Sequence, residues 1–135
     1  MHQRLKRTAT RAGVMAAVAA AAVTVMPTAA HAASYNGACG SGYGVIDSDS
    51  VSGGTVFLTY NSSTGKNCVV TVRNSPGSAQ HMAARVSKAG APWISDEGNF
   101  TTYAGPVYVY AKGSCVDWGG EILNSYAYHY SEHCD

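Results

Sequence analysis

His129 and His133 stand four residues apart and Cys134 follows at once. On a helix that spacing sets two imidazoles on one face, the arrangement used by many metal sites. The segment is rich in tyrosine and has little helix propensity, a third protein ligand would still be needed, and Cys134 is accounted for by a disulfide. No metal and no cofactor are therefore expected. His81 reads as a strand residue with its ring at the surface. Asp47 and Asp49, spaced Asp-x-Asp beside Ser48 and Ser50, offer the oxygen donors calcium takes, but the glycine and distal glutamate of an EF-hand loop are missing. An Asx-type turn explains them.

Acyl-transfer chemistry needs a nucleophile beside a base and an orienting acid. No serine lies in a Gly-x-Ser-x-Gly elbow, and four cysteines in an exported chain are expected to be bonded. Asp96, Glu97, Asp117 and Glu121 are candidates for a glycosidase pair, whose carboxyls stand about 5–10 Å apart across a sugar cleft. A domain this small has little room for a deep cleft, so they read as turn and surface carboxylates. No catalytic residue is assigned, and the chain is not expected to be an enzyme. Tyrosine is the conspicuous excess: nine, joined by Trp93 and Trp118. Tyr108 and Tyr110 alternate onto one strand face, and with Trp118 they are the candidate ligand-binding aromatics, suited to stacking on sugars or to a protein partner. Cross-strand aromatic packing is the competing use of the same rings, and the favoured one.

The elements that must position these residues begin with an export segment. Arg4, Lys6, Arg7 and Arg11 precede an apolar run, GVMAAVAAAAVTVM, of about fourteen residues, and Ala30-His31-Ala32 supplies a small-x-small cleavage pattern. The run is shorter than the roughly 20 residues that span a bilayer, and there is no consecutive arginine pair of the twin-arginine kind. Residues 1–32 are therefore predicted to be a signal peptide, leaving 33–135 as one secreted domain with no membrane attachment. Four of the nine basic residues lie in the leader, and the remaining five (Lys66, Arg73, Arg85, Lys88, Lys112) face all eight acids, a balance of about −3. Five scattered cations make no phosphate-neutralising stripe, so nucleic acid is not an expected partner.

Cys39, Cys68, Cys115 and Cys134 form an even set in a short exported chain, the sign of a disulfide framework. Three connectivities are open; pairing of neighbours, Cys39 with Cys68 and Cys115 with Cys134, would clip each end of a sheet. Gly, Ser, Asn and Thr recur every eight to twelve residues between short runs of β-formers. This spacing predicts an all-β, single-domain antiparallel sandwich or barrel held by two disulfides. GTVFLTYN (54–61) and NCVVTVRN (67–74) are expected to form a hairpin across SSTGK, whose Gly65 can take positive φ. After the Asn-Ser-Pro-Gly turn at 74–77, AQHMAARVSK (79–88) is expected to extend them to a meander. APWISDEGNFTTY reads as two short strands about an acidic turn at Asp96-Glu97-Gly98, PVYVYAKG (106–113) and SCVDWGGEI (114–122) as later strands, and the tail from Leu123 as irregular.

Three blocks, SYNGACGSGY (34–43), GGTVFLTYNSSTGKNCVVTVRNSPG (53–77) and YAGPVYVYAKGSCVDWGG (103–120), resemble spore-associated protein A, a family of small secreted proteins found with the spores of filamentous actinomycetes. The likeness covers nearly all of 33–135. It implies a location outside the cell or on aerial and spore surfaces, and brings no catalytic residues. The function expected is a non-catalytic secreted protein of the spore or cell envelope, with surface polymers or proteins as partners. The alternatives are a polysaccharide-binding module using Tyr108, Tyr110 and Trp118, and a secreted protease inhibitor presenting the loop from Ala89 to Trp93.

Overall fold

Alternation of inward and outward side chains along short runs of β-branched and aromatic residues builds eight strands. They are β1 (Gly44–Val51), β2 (Gly54–Asn61), β3 (Lys66–Arg73), β4 (Gln80–Lys88), β5 (Ile94–Phe100), β6 (Tyr103–Tyr110), β7 (Val116–Ile122) and β8 (Ser125–Glu132). The computed structural model describes residues 31–135, and the expected signal peptide, 1–32, lies outside them apart from its last two residues. The strands form two antiparallel sheets, β1-β2-β3-β6 and β5-β4-β7-β8. Neither closes on itself, so of the two architectures left open the sandwich is the one adopted.

Val56 and Leu58 of β2, Val69 of β3, Met82, Ala84 and Val86 of β4, and Trp118 and Ile122 of β7 fill the space between the sheets. Burying each of the larger aliphatic side chains contributes about 1.5–3 kcal/mol. Thr71 of β3 also points inward, and its hydroxyl donates to the Ala83 carbonyl of the opposite sheet at 2.8 Å. The outer face of the first sheet is covered as well. Phe57, Val70 and Val72 are buried beneath Ala33, Tyr35 and Ala38, and the Cys39–Cys68 disulfide fastens this N-terminal segment down. The second disulfide joins Cys115 to Cys134, so both bridges link neighbours in sequence.

The Asn61–Lys66 hairpin forms as expected, with the Gly65 amide donating to the Asn61 carbonyl at 2.8 Å and Gly65 at φ 71°. The meander does not. β3 pairs with β6, and β4 crosses to the other sheet. Arg73 pins that crossover: its Nη1 donates to the carbonyls of Ser78, Phe100 and Thr101 at 2.8, 3.3 and 3.0 Å. A turn signal states that the chain changes direction and leaves the next partner open, which non-local pairing then decides.

Two further expectations are corrected. Asp96-Glu97-Gly98 is the middle of β5, where the Asp96 carboxylate accepts the Gly105 amide at 2.9 Å and Glu97 faces β4. The tail is not irregular either, because Ser125–Glu132 pairs with β7. Strand propensity is weak for acids and glycine, and here cross-strand partners override it.

Candidate functional site

Edge strand β1 of one sheet lies beside edge strand β8 of the other, and side chains join them. Asp47 and Asp49 pair with Leu58 and Val56, residues that face the core, so the two acids point inward from the edge. They do not sit in an Asx turn. Each keeps one local contact, Oδ1 accepting the next residue's amide at 2.8 Å, while Oδ2 of Asp49 reaches β8 and Oδ2 of Asp47 the residue just after it. Asp49 Oδ2 lies 2.8 Å from His129 Nε2, and Asp47 Oδ2 lies 2.8 Å from His133 Nε2. Inward-pointing charge of this kind also discourages edge-to-edge association with another chain.

Glu132 completes the seam. Its Oε2 accepts the indole N–H of Trp118 at 3.0 Å, and its Oε1 lies 3.3 Å from His129 Nδ1. The Trp118 and His129 rings stack with centroids 4.5 Å apart. His129 lies within β8 and His133 just beyond its end, with Ser131 and His133 at positive φ, so the two imidazoles meet the β1 edge through an irregular strand end and not through strict alternation.

The outer face of the β5-β4-β7-β8 sheet carries a second group. His81 Nε2 lies 3.0 Å from Glu121 and 3.3 Å from Glu97, and Arg85 Nη2 bridges the same carboxylates at 3.6 and 2.9 Å. The Arg85 guanidinium also stands 5.8 Å from the Tyr128 ring centroid. Tyr128 is flanked by Tyr126 at 5.9 Å and Trp93 at 5.7 Å, and Trp93 reaches Tyr130 at 6.0 Å. Tyr126 and Tyr130 are 70% and 64% exposed. Burial pushes the Tyr128 phenol up to about 12; the neighbouring Glu121 carboxylate, which accepts its O–H at 3.1 Å, adds to the rise and Arg85 opposes it. These rings were not singled out as a site from sequence, because three of them lie in the tail that reads as irregular; alternation of tyrosine at 126, 128 and 130 was the available signal.

The three aromatics assigned from sequence do not form one site. Tyr108 and Tyr110 share the outer face of the first sheet, but Trp118 is fully buried between the sheets and presents no ring to a ligand. Its fate follows from register: Trp118 opposes Val86, an inward position of β4. Tyr108 is tied down, its hydroxyl donating to the Cys39 carbonyl at 2.9 Å and its ring meeting Tyr43 edge-on at 5.5 Å. Burial, then Tyr43 and Tyr35, raise its pKa. The loop from Ala89 to Trp93 is anchored by the Gly90 amide on Asp117, and its largest side chain turns onto the tyrosines of β8.

Comparison with known proteins gives 54% identity over 110 residues with Spore-associated protein A of Streptomyces coelicolor, spanning 79% of this chain and 71% of that protein. The chain belongs to the spore-associated protein A family. No protein-family model matches it. No solved structure matches it either. Membership agrees with the resemblance carried by the three sequence blocks, and the fold described above supplies a sandwich with two disulfides for this family member.

Proposed function

We propose that this protein is a secreted, non-catalytic component of the spore or cell envelope. The observation that carries the reading is its 54% identity to a protein named for association with spores. Two disulfides in a domain of this size fit an oxidising exterior. The engagement of His81, His129 and His133 with carboxylates fits a structural use of the imidazoles. Fractionation tests the reading: the protein is expected in culture fluid or on washed spores, and recovery from cytosol alone overturns it. A screen of generic esterase, protease and glycosidase substrates is expected to give no turnover.

A second reading, attachment to an envelope polysaccharide, is favoured by the cluster of Trp93, Tyr126, Tyr128 and Tyr130. Aromatic faces supply stacking area for sugar rings, and Arg85, Glu97 and Glu121 alongside supply charged hydrogen-bonding groups. Retention on chitin, cellulose or peptidoglycan is expected to fall in Tyr126→Ala and Tyr130→Ala and to persist in Tyr110→Ala. No retention on any of the three polymers removes this reading and leaves the location untouched.

A further inference from the structure

We propose that the seam between β1 and β8 is a binding site for a first-row divalent transition cation of the zinc type, with Asp47, Glu132 and His133 as its protein ligands. Each offers one donor atom, and the three donors lie within 4.8 Å of one another. An imidazole nitrogen with two carboxylate oxygens suits zinc, which binds both donor types at about 2.0–2.2 Å, whereas calcium sites are built from oxygen alone. Of the two histidines only His133 is a donor, and Asp47 joins it from β1, 86 residues earlier in the chain.

The donors are held from behind, as metal ligands are in built sites. Asp47 Oδ1 is occupied by the Ser48 amide, which leaves Oδ2 directed at His133. Glu132 Oε2 is occupied by the buried Trp118 indole, and His133 is followed directly by the bridged Cys134. Asp49 and His129 form a paired second rank beside the ligands, with His129 reaching Glu132. The side chains of His133 and Asp47 remain 33% and 37% exposed, so a hydrated cation can reach them.

Charge separates this cluster from the other one of similar composition. His81, Glu97 and Glu121 also bring three donors together, but Arg85 already sits among them, at 2.9 Å from Glu97 and 3.6 Å from Glu121. A cation entering there meets a fixed guanidinium. In the seam three carboxylates face two imidazoles, and among the described residues no lysine or arginine forms an ion pair with any of them. A divalent cation would therefore enter a field of the opposite sign, and would join the edge strands of the two sheets.

Calorimetric titration of the purified, disulfide-intact protein with Zn2+ alone tests the proposal. One equivalent is expected to bind, with a rise in Tm, and Co2+ is expected to give a visible d–d absorption with mixed nitrogen and oxygen character. His133→Ala and Asp47→Asn are each expected to weaken Zn2+ binding by about tenfold or more, in line with the effect of disturbing a metal's surroundings. Glu121→Gln, in the other cluster, is expected to leave it unchanged. Asp47→Asn preserves size on an edge strand and carries the test should His133→Ala fail to fold. Absence of stoichiometric binding, binding that persists in either folded seam variant, or binding lost in Glu121→Gln overturns the proposal.

Discussion

Gly120 sits where β7 passes under β3, and replacing it by alanine is expected to be among the most damaging small changes in the molecule. A Cβ there would overlap the Thr71 hydroxyl oxygen, stand 2.7 Å from the Ala83 carbonyl oxygen and 3.1 Å from Val56 Cγ2. Two of these atoms are partners in the hydrogen bond that ties the sheets together, from Thr71 to Ala83 at 2.8 Å. The side chain cannot be accommodated by a rotamer change alone, because Thr71, Ala83 and Val56 are all buried. Overpacking a core costs about 1–3 kcal/mol, and leaving a buried hydroxyl without its acceptor costs about another 1–3 kcal/mol. The expected loss is therefore about 2–6 kcal/mol, a large part of a total stability of about 5–15 kcal/mol. For a domain near 100 residues each kcal/mol moves Tm by about 4–8 °C, so thermal unfolding followed by circular dichroism should shift by about 8–48 °C. The double variant Gly120→Ala with Thr71→Ala removes the obstructing hydroxyl, and is expected to lose less stability than the two single changes added together. A Gly120→Ala protein melting within about 2 °C of the original, or strict additivity in the double, would refute this account of the inter-sheet contact.

Other consequences follow from the bridges and the tyrosines. The oxidised protein should contain no free thiol and weigh four hydrogens less than its reduced form, with digestion yielding Cys39–Cys68 and Cys115–Cys134 peptides; any crossed peptide contradicts the fold. Replacing Cys115 and Cys134 by serine opens a loop of separation 19 and should cost about 3 kcal/mol. Limited proteolysis of that variant should begin at His133 to Asp135, since Ser125–Glu132 keeps its ladder to β7; first cleavage inside β8 would show that the ladder depends on the bridge. Tyr128, at about 12 when folded against an ordinary value of 10.0, favours the protonated form in the native state. Its contribution is fully present below pH 10 and is lost as pH rises from about 10 to 12, because only the unfolded chain has given up its proton in that window. Tyrosinate absorbance should show a phenol ionising at about 12 that disappears in Tyr128→Phe, and a titration unchanged by that substitution would contradict the assignment.

Much about this protein is local, and local features were readable in its sequence. Alternation in GTVFLTYN and NCVVTVRN, with Gly65 able to take positive φ between them, determined a hairpin whatever surrounded it. The number and placement of the cysteines determined a bridged domain, and the three blocks at 34–43, 53–77 and 103–120 determined the family. Two faces of β3 were harder to read. Cys68, Val70 and Val72 alternate with Val69 and Thr71, which suggests one buried face, yet both are buried because the N-terminal segment is folded back over the outer one.

What tertiary structure alone decided is which strand lies beside which. Acids at 47, 49, 96 and 97 look like turn residues when only their neighbours in sequence are considered. Their strands are stable because partners distant in sequence accept them: His133 and His129 for β1, Gly105 and Arg85 for β5. The same holds for Trp118, whose alternation is compatible with either face until its register opposite Val86 turns it inward. Turn chemistry and side-chain period act over a few residues, whereas the seam and the aromatic face depend on strand pairings between remote segments. Those pairings are selected by the burial of the whole core, which no single segment encodes.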